Sequence, residues 1–184
     1  MISDSHYDSS ARHSLGIDPS CIFIVGSLAG GGLIAGTVLL ARDRGGPGVH
    51  AKMLPAPMLD DRHGTVSATQ YGDQLPWTCA VGETAWVCAL RRKEVRDESV
   101  SIYAVPGRAE DLSNLPPTYT DDGSAEVFRD ESIVYASGLL ASGGRVGLHV
   151  WPGAIHGSDL CVRESALSKG GAKARDDWIA RMMK

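Results

Sequence analysis

Apolar and polar positions fall into blocks along this chain, and the spacing within each block predicts a strand or a helix. Short apolar runs rich in β-branched residues predict buried strands, whereas apolar residues repeated at helical spacing predict helices. Strands separated by helices indicate an α/β fold with a parallel sheet of about four strands and flanking helices. The predicted strands are 21–25, 51–59 (ending near Pro57), 118–120 and 146–151, and the predicted helices are about 30–44, 128–140 and 172–183.

The chain is expected to form one domain over residues 1–184, which is long enough for a single core. Residues 1–20 are a polar lead-in, and residues 121–123 are predicted to turn the chain after the third strand. Residues 60–117 are long and irregular, which is typical of a cap-like insertion that contacts a substrate. The sheet is therefore expected to be interrupted by an irregular cap between its second and third strands.

The most informative segment is 26–30, Gly-Ser-Leu-Ala-Gly, between the first predicted strand and the first predicted helix. Strand, tight turn and helix are the context of the G-x-S-x-G nucleophile elbow, whose central serine stands clear of the backbone. Here the central residue is Leu28, whose side chain cannot attack a carbonyl carbon. Ser27 lacks the flanking glycines of the motif, and its side chain is expected to point away from the site. The segment predicts an elbow without its nucleophile.

Two later residues lie where hydrolases with this elbow carry the rest of their triad. Glu126 follows the third predicted strand and His156 follows the fourth, in the chain order nucleophile, acid, histidine. Loops after parallel strands meet at the carboxyl edge of the sheet, where ligands bind. A histidine there can take a hydroxyl proton while a carboxylate orients its ring. Asp130 and Glu131 are instead expected to be surface charges in the first turn of the next helix.

Several segments share a pattern with one enzyme family. They are 15–20, 29–33, 39–47, 57–62, 112–117 and the segments around Glu126 and His156. Together they resemble the hormone-sensitive-lipase-like branch of the α/β-hydrolase superfamily, particularly its fungal members. The resemblance implies an esterase or lipase that cleaves carboxylic esters through an acyl-serine intermediate. It implies Glu126 as the acid, His156 as the base and the backbone N–H of Ala29 as an oxyanion donor.

The same resemblance implies an apolar substrate pocket whose ligand is a small-molecule acyl ester or a similar apolar molecule. Gly30, Trp77 and Trp86 are candidates for lining this pocket. Trp77 and Trp86 lie in the predicted cap, where a packing role is equally open to large aromatic residues.

Two departures from the family pattern predict impaired catalysis. Leu28 occupies the slot of the family's serine, and the family's His-Gly-Gly-Gly oxyanion loop is expected upstream of Met1. The chain is accordingly expected to be a truncated, carboxyl-terminal part of the fold, and its elbow strand to form an exposed edge that allows self-association. Two alternatives stay open: a working hydrolase with an unrecorded upstream portion, and a non-catalytic binding or regulatory pseudoenzyme that keeps the pocket.

A further alternative is membrane anchoring through residues 21–41, which carry no charge and are about as long as a membrane span. Against it, Gly30, Gly31 and Gly32 are consecutive at the centre of this segment, which suits a turn better than an uninterrupted helix. The strand–turn–helix interpretation is therefore preferred.

Composition narrows the function classes. A net charge of −4 with interspersed signs gives no basic face, which argues against nucleic acid as a partner. The four cysteines lack a C-x-x-C pair, and the start of the chain fits no signal peptide, so free, mostly buried thiols in the cytoplasm are expected. No cofactor is expected, because residues 30–32 are not followed by the Lys-Ser/Thr of a phosphate loop. No metal is expected either, and His63 and His149 are placed in a surface loop and a strand.

Overall fold

A parallel sheet of four strands forms the centre of the computed structural model, which describes residues 16, 18, 20–73, 76–90 and 97–184. Its strand order follows the chain, so the first and fourth strands are the two edges of the described sheet. Every pairing is parallel, which requires a crossover connection between consecutive strands and confirms the predicted α/β class. The strands are β1 (Phe23–Val25), β2 (Ala51–Pro55), β3 (Thr118–Ala125) and β4 (Val146–Ile155).

Helices supply the crossovers and flank the sheet. The segment between β2 and β3, predicted as an irregular cap, contains two short helices and a 3-10 turn at Pro106–Arg108. The last helix begins earlier than predicted because Ser165 caps it, its side chain accepting a hydrogen bond from the backbone N–H of Ser168. The helices are α1 (Ala29–Asp43), α2 (Val66–Tyr71), α3 (Cys79–Ala89), α4 (Arg129–Ala141), α5 (Ser158–Cys161) and α6 (Ala166–Met182).

The prediction that residues 121–123 form a turn is wrong, because β3 continues through them to Ala125. Asp121 is accommodated in the strand because its carboxylate accepts hydrogen bonds from Arg175 Nε at 2.9 Å and Trp151 Nε1 at 3.0 Å. Gly123 is required there, since a Cβ at this position would collide with the backbone carbonyl of Ala154. Long-range partners thus override the turn signal.

The fourth strand also extends beyond its predicted end. The sequence predicts that β4 ends before Pro152, yet pairing with β3 continues to Ile155, with an irregularity in register between Gly123 and Ala125. Pro152 is tolerated because β4 is an edge strand of the described sheet. The longer strand carries the chain directly to His156.

Apolar side chains cover both faces of the sheet. On one face, α1 and α4 contribute Leu39 and Leu139 to a cluster with Leu54 of β2. On the other face, Trp178 of α6 packs against Tyr119 of β3, with ring centroids 5.6 Å apart. At about 25 cal/mol per Å² of buried apolar area, these contacts are the main source of stability.

One charged residue is enclosed in the first of these layers. Lys52 of β2 is 0% exposed, and its Nζ donates a hydrogen bond of 2.9 Å to the hydroxyl of Tyr135 on α4. Burial, with a smaller contribution from the charge of Arg42, lowers the pKa of Lys52 to about 7. The sequence does not predict this burial, because a lysine in a strand is usually exposed.

The cysteines differ from expectation in their burial. All four are free thiols, as predicted, but Cys21, Cys88 and Cys161 are exposed and Cys79 is half-buried. Cys21 precedes an edge strand and Cys161 ends the short helix α5, so neither position is covered by a second layer.

The segment 21–41 is divided between β1, a turn and α1. Among the helices of the described residues, none is both long and apolar enough to cross a membrane.

Candidate active site

The elbow segment joins β1 to α1 through a strained turn. Leu28 has φ 54° and ψ −127°, a backbone conformation that costs a residue with a side chain about 1–3 kcal/mol. Neighbouring backbone holds it there: Met58 N–H donates to the carbonyl of Leu28 at 2.9 Å, and Leu28 N–H donates to the carbonyl of Pro55 at 3.4 Å. The turn expected of a nucleophile elbow is therefore present, with leucine at its centre.

Close packing of α1 against the next loop requires a glycine. A Cβ on Gly32 would collide with the backbone carbonyl of Met58. Gly30, two residues earlier in the same helix, has nothing within 4 Å of the position that a Cβ would occupy. Ala29 is the first residue of α1, where backbone N–H groups have no partner within the helix.

The side chain of Leu28 faces an apolar cluster rather than a polar site. Leu28 and Trp77 are partly buried and pack against a core that includes Met58, Trp86 and Phe128. Trp86 is 2% exposed and belongs to the core of this cluster. Ser27 is exposed, on the turn itself.

Glu126 and His156 come together at the carboxyl edge of the sheet, each one residue after its strand. His156 Nδ1 lies 2.7 Å from Glu126 Oε2, and the two side chains are 11% and 1% exposed. The other carboxylate oxygen, Oε1, accepts the backbone N–H of Phe128 at 3.2 Å. Because Glu126 holds Nδ1, the ring is oriented and Nε2 is the nitrogen left to exchange a proton with a ligand.

Aromatic rings surround the imidazole of His156. The ring centroid of Trp77 lies 5.0 Å from that of His156, and the ring of Phe128 lies 5.8 Å away in an edge-on orientation. A cavity of about 10 Å³ beside these residues is at the lower limit for one water molecule. The Trp77 ring therefore forms one wall of the space next to the imidazole. The cavity is lined by Tyr71, Pro76, Trp77, Ala125, Glu126, Val127 and His156.

Asp130 and Glu131 are not the surface charges that the sequence predicts. Glu131 is 6% exposed, and its Oε1 accepts the backbone N–H of Leu59 at 2.8 Å. Burial raises the pKa of Glu131 well above its usual range, although the hydrogen bond from Leu59 opposes this effect. Asp130 is half-buried and accepts the backbone N–H of Ser67 at 2.8 Å. The cause is the segment after β2, which packs over the first turn of α4.

Asp122 is a buried acid that sequence reasoning missed, since it was assigned to a turn. It is 3% exposed on β3. Burial, followed by the negative charge of Glu126, raises the pKa of Asp122 well above its usual range, and the side chain of Ser132 only partly opposes this. Asp122 is therefore expected to keep its proton to a higher pH than an exposed aspartate does.

Two other described histidines, His149 and His63, are not part of the Glu126–His156 contact. His149 is in β4, as predicted, and stacks on Trp151 with ring centroids 5.2 Å apart. His63 is half-buried rather than a surface residue, because its ring packs beside Gly82 of α3. Across the residues that the structure describes, no group of three or more His, Cys, Asp or Glu side chains is arranged to hold a metal ion.

Comparisons with known proteins agree with this architecture. A family model described as alpha/beta hydrolase fold matches residues 5–160. Among curated proteins, carboxylesterase NlhH of Mycobacterium tuberculosis is 32% identical over 144 residues, which are 78% of this chain and 45% of that protein. Esterase LipI of the same organism is 28% identical over 145 residues, covering 78% of this chain and 44% of LipI.

Solved structures of esterases superpose on this chain. A bacterial heroin esterase is 43% identical and superposes with a TM-score of 0.86, covering 95% of this chain and 56% of the esterase. Esterase LipW from Mycobacterium marinum is 30% identical with a TM-score of 0.86, covering 95% of this chain and 54% of LipW. The chain spans about half the length of the curated relatives that it matches.

Proposed function

The chain belongs to the α/β-hydrolase fold family, and on that premise we propose that it carries the acid and base of a carboxylic-ester hydrolase site without the nucleophile. The observation that carries this proposal is the 2.7 Å contact between Glu126 Oε2 and His156 Nδ1 at the carboxyl edge of the sheet. The carboxylesterase relatives support a carboxylic ester as the ligand class. With leucine at position 28, the chain is expected to bind such esters and to hydrolyse them no faster than the uncatalysed reaction.

The roles follow from the chemistry of acyl transfer. In a serine-bearing elbow, the hydroxyl oxygen attacks the ester carbonyl carbon while its proton passes to histidine Nε2, and the carbonyl oxygen becomes an oxyanion. We assign the base role to His156, the orienting role to Glu126 and one oxyanion donor to the N–H of Ala29. Leu28 offers neither a lone pair nor a proton at the attacking position, so no acyl intermediate can form there.

A second candidate function is ligand binding without chemistry. The observation that favours it is the packing of Leu28 against the same apolar cluster as Trp77. Leucine adds apolar surface where a serine would add a hydroxyl, which suits retention of an apolar acyl chain. Gly30, Trp77 and Trp86 stay candidates for lining that pocket, although Trp86 lies in the core of the cluster and contributes through packing.

Self-association is a further part of the proposal. β1 is an edge of the described sheet, and Val25 at its end is 55% exposed. Edge strands offer unpaired backbone groups to a second copy of the chain. Sedimentation velocity is expected to show concentration-dependent dimers that are weakened in Val25→Lys. A monomer at all concentrations would contradict this part.

Hydrolysis of a short-chain aryl ester tests the main proposal. We expect no turnover above background for the chain as written and measurable turnover for Leu28→Ser, because removing a nucleophile from a comparable triad costs about 10⁶-fold. The double variant Leu28→Ser/His156→Ala is the control and is expected to return to background. Turnover by the unmodified chain that disappears in His156→Ala would contradict the proposal.

The nucleophile itself can be identified by labelling. A fluorophosphonate probe is expected to label residue 28 in Leu28→Ser and to leave the unmodified chain unlabelled. Labelling of Ser27 in the unmodified chain, lost in Ser27→Ala, would show that the neighbouring serine replaces the missing one.

A further inference from the structure

A set of three hydrogen bonds, which we call the clasp, joins α2 to the loop that carries Glu126. Ser67 N–H donates to Asp130 Oδ2 at 2.8 Å, and Asp130 N–H donates to Ser67 Oγ at 3.2 Å. The Ser67 hydroxyl then donates to the backbone carbonyl of Val127 at 2.9 Å. Ser67 is 0% exposed, so each of these groups would be costly to leave unpaired. The clasp thus connects the segment between β2 and β3 with the residue next to Glu126.

Other contacts of the same helical turn support the clasp from both sides. Glu131 accepts the N–H of Leu59, at the start of the segment that leads to α2. Arg129 lies over the ring of Tyr71, the last residue of α2, at 5.6 Å, and its Nη1 donates to the carbonyl of Ser124 at 2.8 Å. The first turn of α4 therefore holds α2 at both ends as well as the end of β3.

Asp130 is suited to this position by its charge. Burial acts to raise the pKa of Asp130, but the hydrogen bonds from Arg129 and Ser67 outweigh it and hold the pKa below its usual range. The carboxylate is therefore charged at neutral pH, and the bond from Ser67 N–H is charge-assisted. Such bonds are stronger than those between neutral groups.

The clasp reaches both members of the acid–base pair. Its Val127 carbonyl belongs to the residue after Glu126, whose Oε1 is fixed by Phe128 N–H in the same loop. Its other end is α2, whose last residue, Tyr71, lines the same small cavity as Trp77. The Trp77 ring in turn packs on His156 with centroids 5.0 Å apart. Movement of α2 would therefore disturb the carboxylate and the imidazole together.

We propose that Ser67 and Asp130 are positioning residues, which hold Trp77 against His156 and fix the Glu126 loop so that the Glu126–His156 hydrogen bond is kept. Neither residue contacts the imidazole; both act through Val127 and Trp77. The catalytic meaning of this coupling rests on the proposed function, but the coupling is a property of the folded chain and can be measured without any hydrolysis.

The test is NMR spectroscopy of the full chain with ¹⁵N-labelled histidine. Two signals of His156 report the geometry: the Nδ1 proton bonded to Glu126, and the ring-current displacement of the imidazole protons by Trp77. In Ser67→Ala we expect the Nδ1 proton to exchange with water about tenfold faster and the imidazole protons to move toward the shifts of an unstacked ring.

Two variants separate positioning from general destabilisation. Ser67→Thr keeps the hydroxyl and is expected to retain both signals. Thr69→Val is the matched control on the same helix, because the Thr69 hydroxyl bonds only within α2, to the carbonyl of Thr65 at 3.3 Å. It is expected to leave both signals unchanged. If Ser67→Ala fails to fold, Asp130→Asn takes its place, since it keeps the side-chain shape and removes the charge.

The outcomes decide the proposal in either direction. Faster exchange of the Nδ1 proton together with displaced imidazole resonances in Ser67→Ala or Asp130→Asn, with circular dichroism of a folded protein and unchanged His156 signals in Thr69→Val, supports it. Unchanged His156 signals in a folded Ser67→Ala or Asp130→Asn protein would overturn it, as would equal changes in Thr69→Val. Because no ester is used, either result stands whether or not Leu28→Ser hydrolyses esters.

Discussion

The two halves of the candidate site differ in what they retain. At the elbow, the backbone of Leu28 keeps a conformation that leucine disfavours, although its side chain offers no reactive atom. At the ends of β3 and β4, Glu126 and His156 keep both the backbone placement and a side-chain contact of 2.7 Å. The difference shows that the backbone of the elbow is held in this conformation with a leucine at its centre.

Packing explains why the elbow keeps its shape. The carbonyl of Leu28 accepts Met58 N–H, and Gly32 lies against the Met58 carbonyl, so β1, α1 and the loop after β2 fix one another. The strain of about 1–3 kcal/mol at Leu28 is offset by these contacts. At the acid–base pair, by contrast, the side chains themselves make the contact, so substitution there is expected to remove it.

The largest expected effect comes from the acid. In a Leu28→Ser background, Glu126→Gln is expected to lower kcat for a short-chain aryl ester by about 10³- to 10⁴-fold, because an amide cannot stabilise the imidazolium or select its tautomer. The matched control is Glu164→Gln, whose side chain is 91% exposed. Equal kcat values for the Glu126 and Glu164 variants would show that the Glu126–His156 contact has only a structural role. The side chains of this pair would then matter no more for catalysis than the side chain at the elbow does.

The next effect concerns the buried carboxyl of Asp122 and depends on pH. Asp122 has a raised pKa because of burial and of Glu126, so the folded state keeps its proton at pH values where the unfolded state has lost it. The unfolded state then binds fewer protons, and this group makes the free energy of unfolding fall as pH rises above about 4. Asp122→Asn carries no such proton, so its advantage over the unmodified chain is expected to grow by up to about 1.4 kcal/mol per pH unit.

Urea unfolding at several pH values between 4 and 8 measures this difference. The neighbouring acids Glu126, Asp121 and Glu131 are the same residues in both proteins, so the substitution changes only Asp122. Asp176→Asn, at an exposed position on α6, is the control for replacing one carboxylate by an amide. A constant difference between Asp122→Asn and the unmodified chain at every pH would mean that Asp122 is ionised in the fold.

How much of this site the sequence could predict depends on the distance between partners along the chain. β1, the turn and α1 were predictable because their signals, β-branched residues followed by glycines, are local. The placement of Glu126 and His156 after strands followed from the predicted strands together with the chain order nucleophile, acid, histidine. The burial of Glu131 was not predictable, because its partner, the N–H of Leu59, is 72 residues away along the chain. The burial of Asp122 was not predictable either, because its neighbours in the sequence, Asp121 and Gly123, are typical of a turn. The residues that bury it belong to distant parts of the chain.

A smaller effect separates strain from packing at the elbow. Leu28→Ala removes side-chain contacts and keeps the disfavoured φ, whereas Leu28→Gly removes the same contacts and relieves it. We expect the glycine variant to be more stable than the alanine variant by about 1–2 kcal/mol, measured by urea unfolding. Equal stability of Leu28→Ala and Leu28→Gly would mean that the strained turn relaxes once leucine is removed. The leucine side chain would then be what maintains the conformation of the elbow.

The smallest expected effect lies at the first turn of α1, where neighbouring glycines have different surroundings. Gly30 has open space around the position of a Cβ, so Gly30→Ala is expected to stabilise the protein by about 0.5–1 kcal/mol through helix propensity. Gly32→Ala is the matched control on the same helix and is expected to destabilise, because the Met58 carbonyl occupies the space. Thermal unfolding of the two variants measures whether the close approach of α1 to the loop after β2 includes Gly30 as well as Gly32. Destabilisation by both would place Gly30 in the same contact as Gly32. Stabilisation by both would contradict the close approach to which we attribute the shape of the elbow.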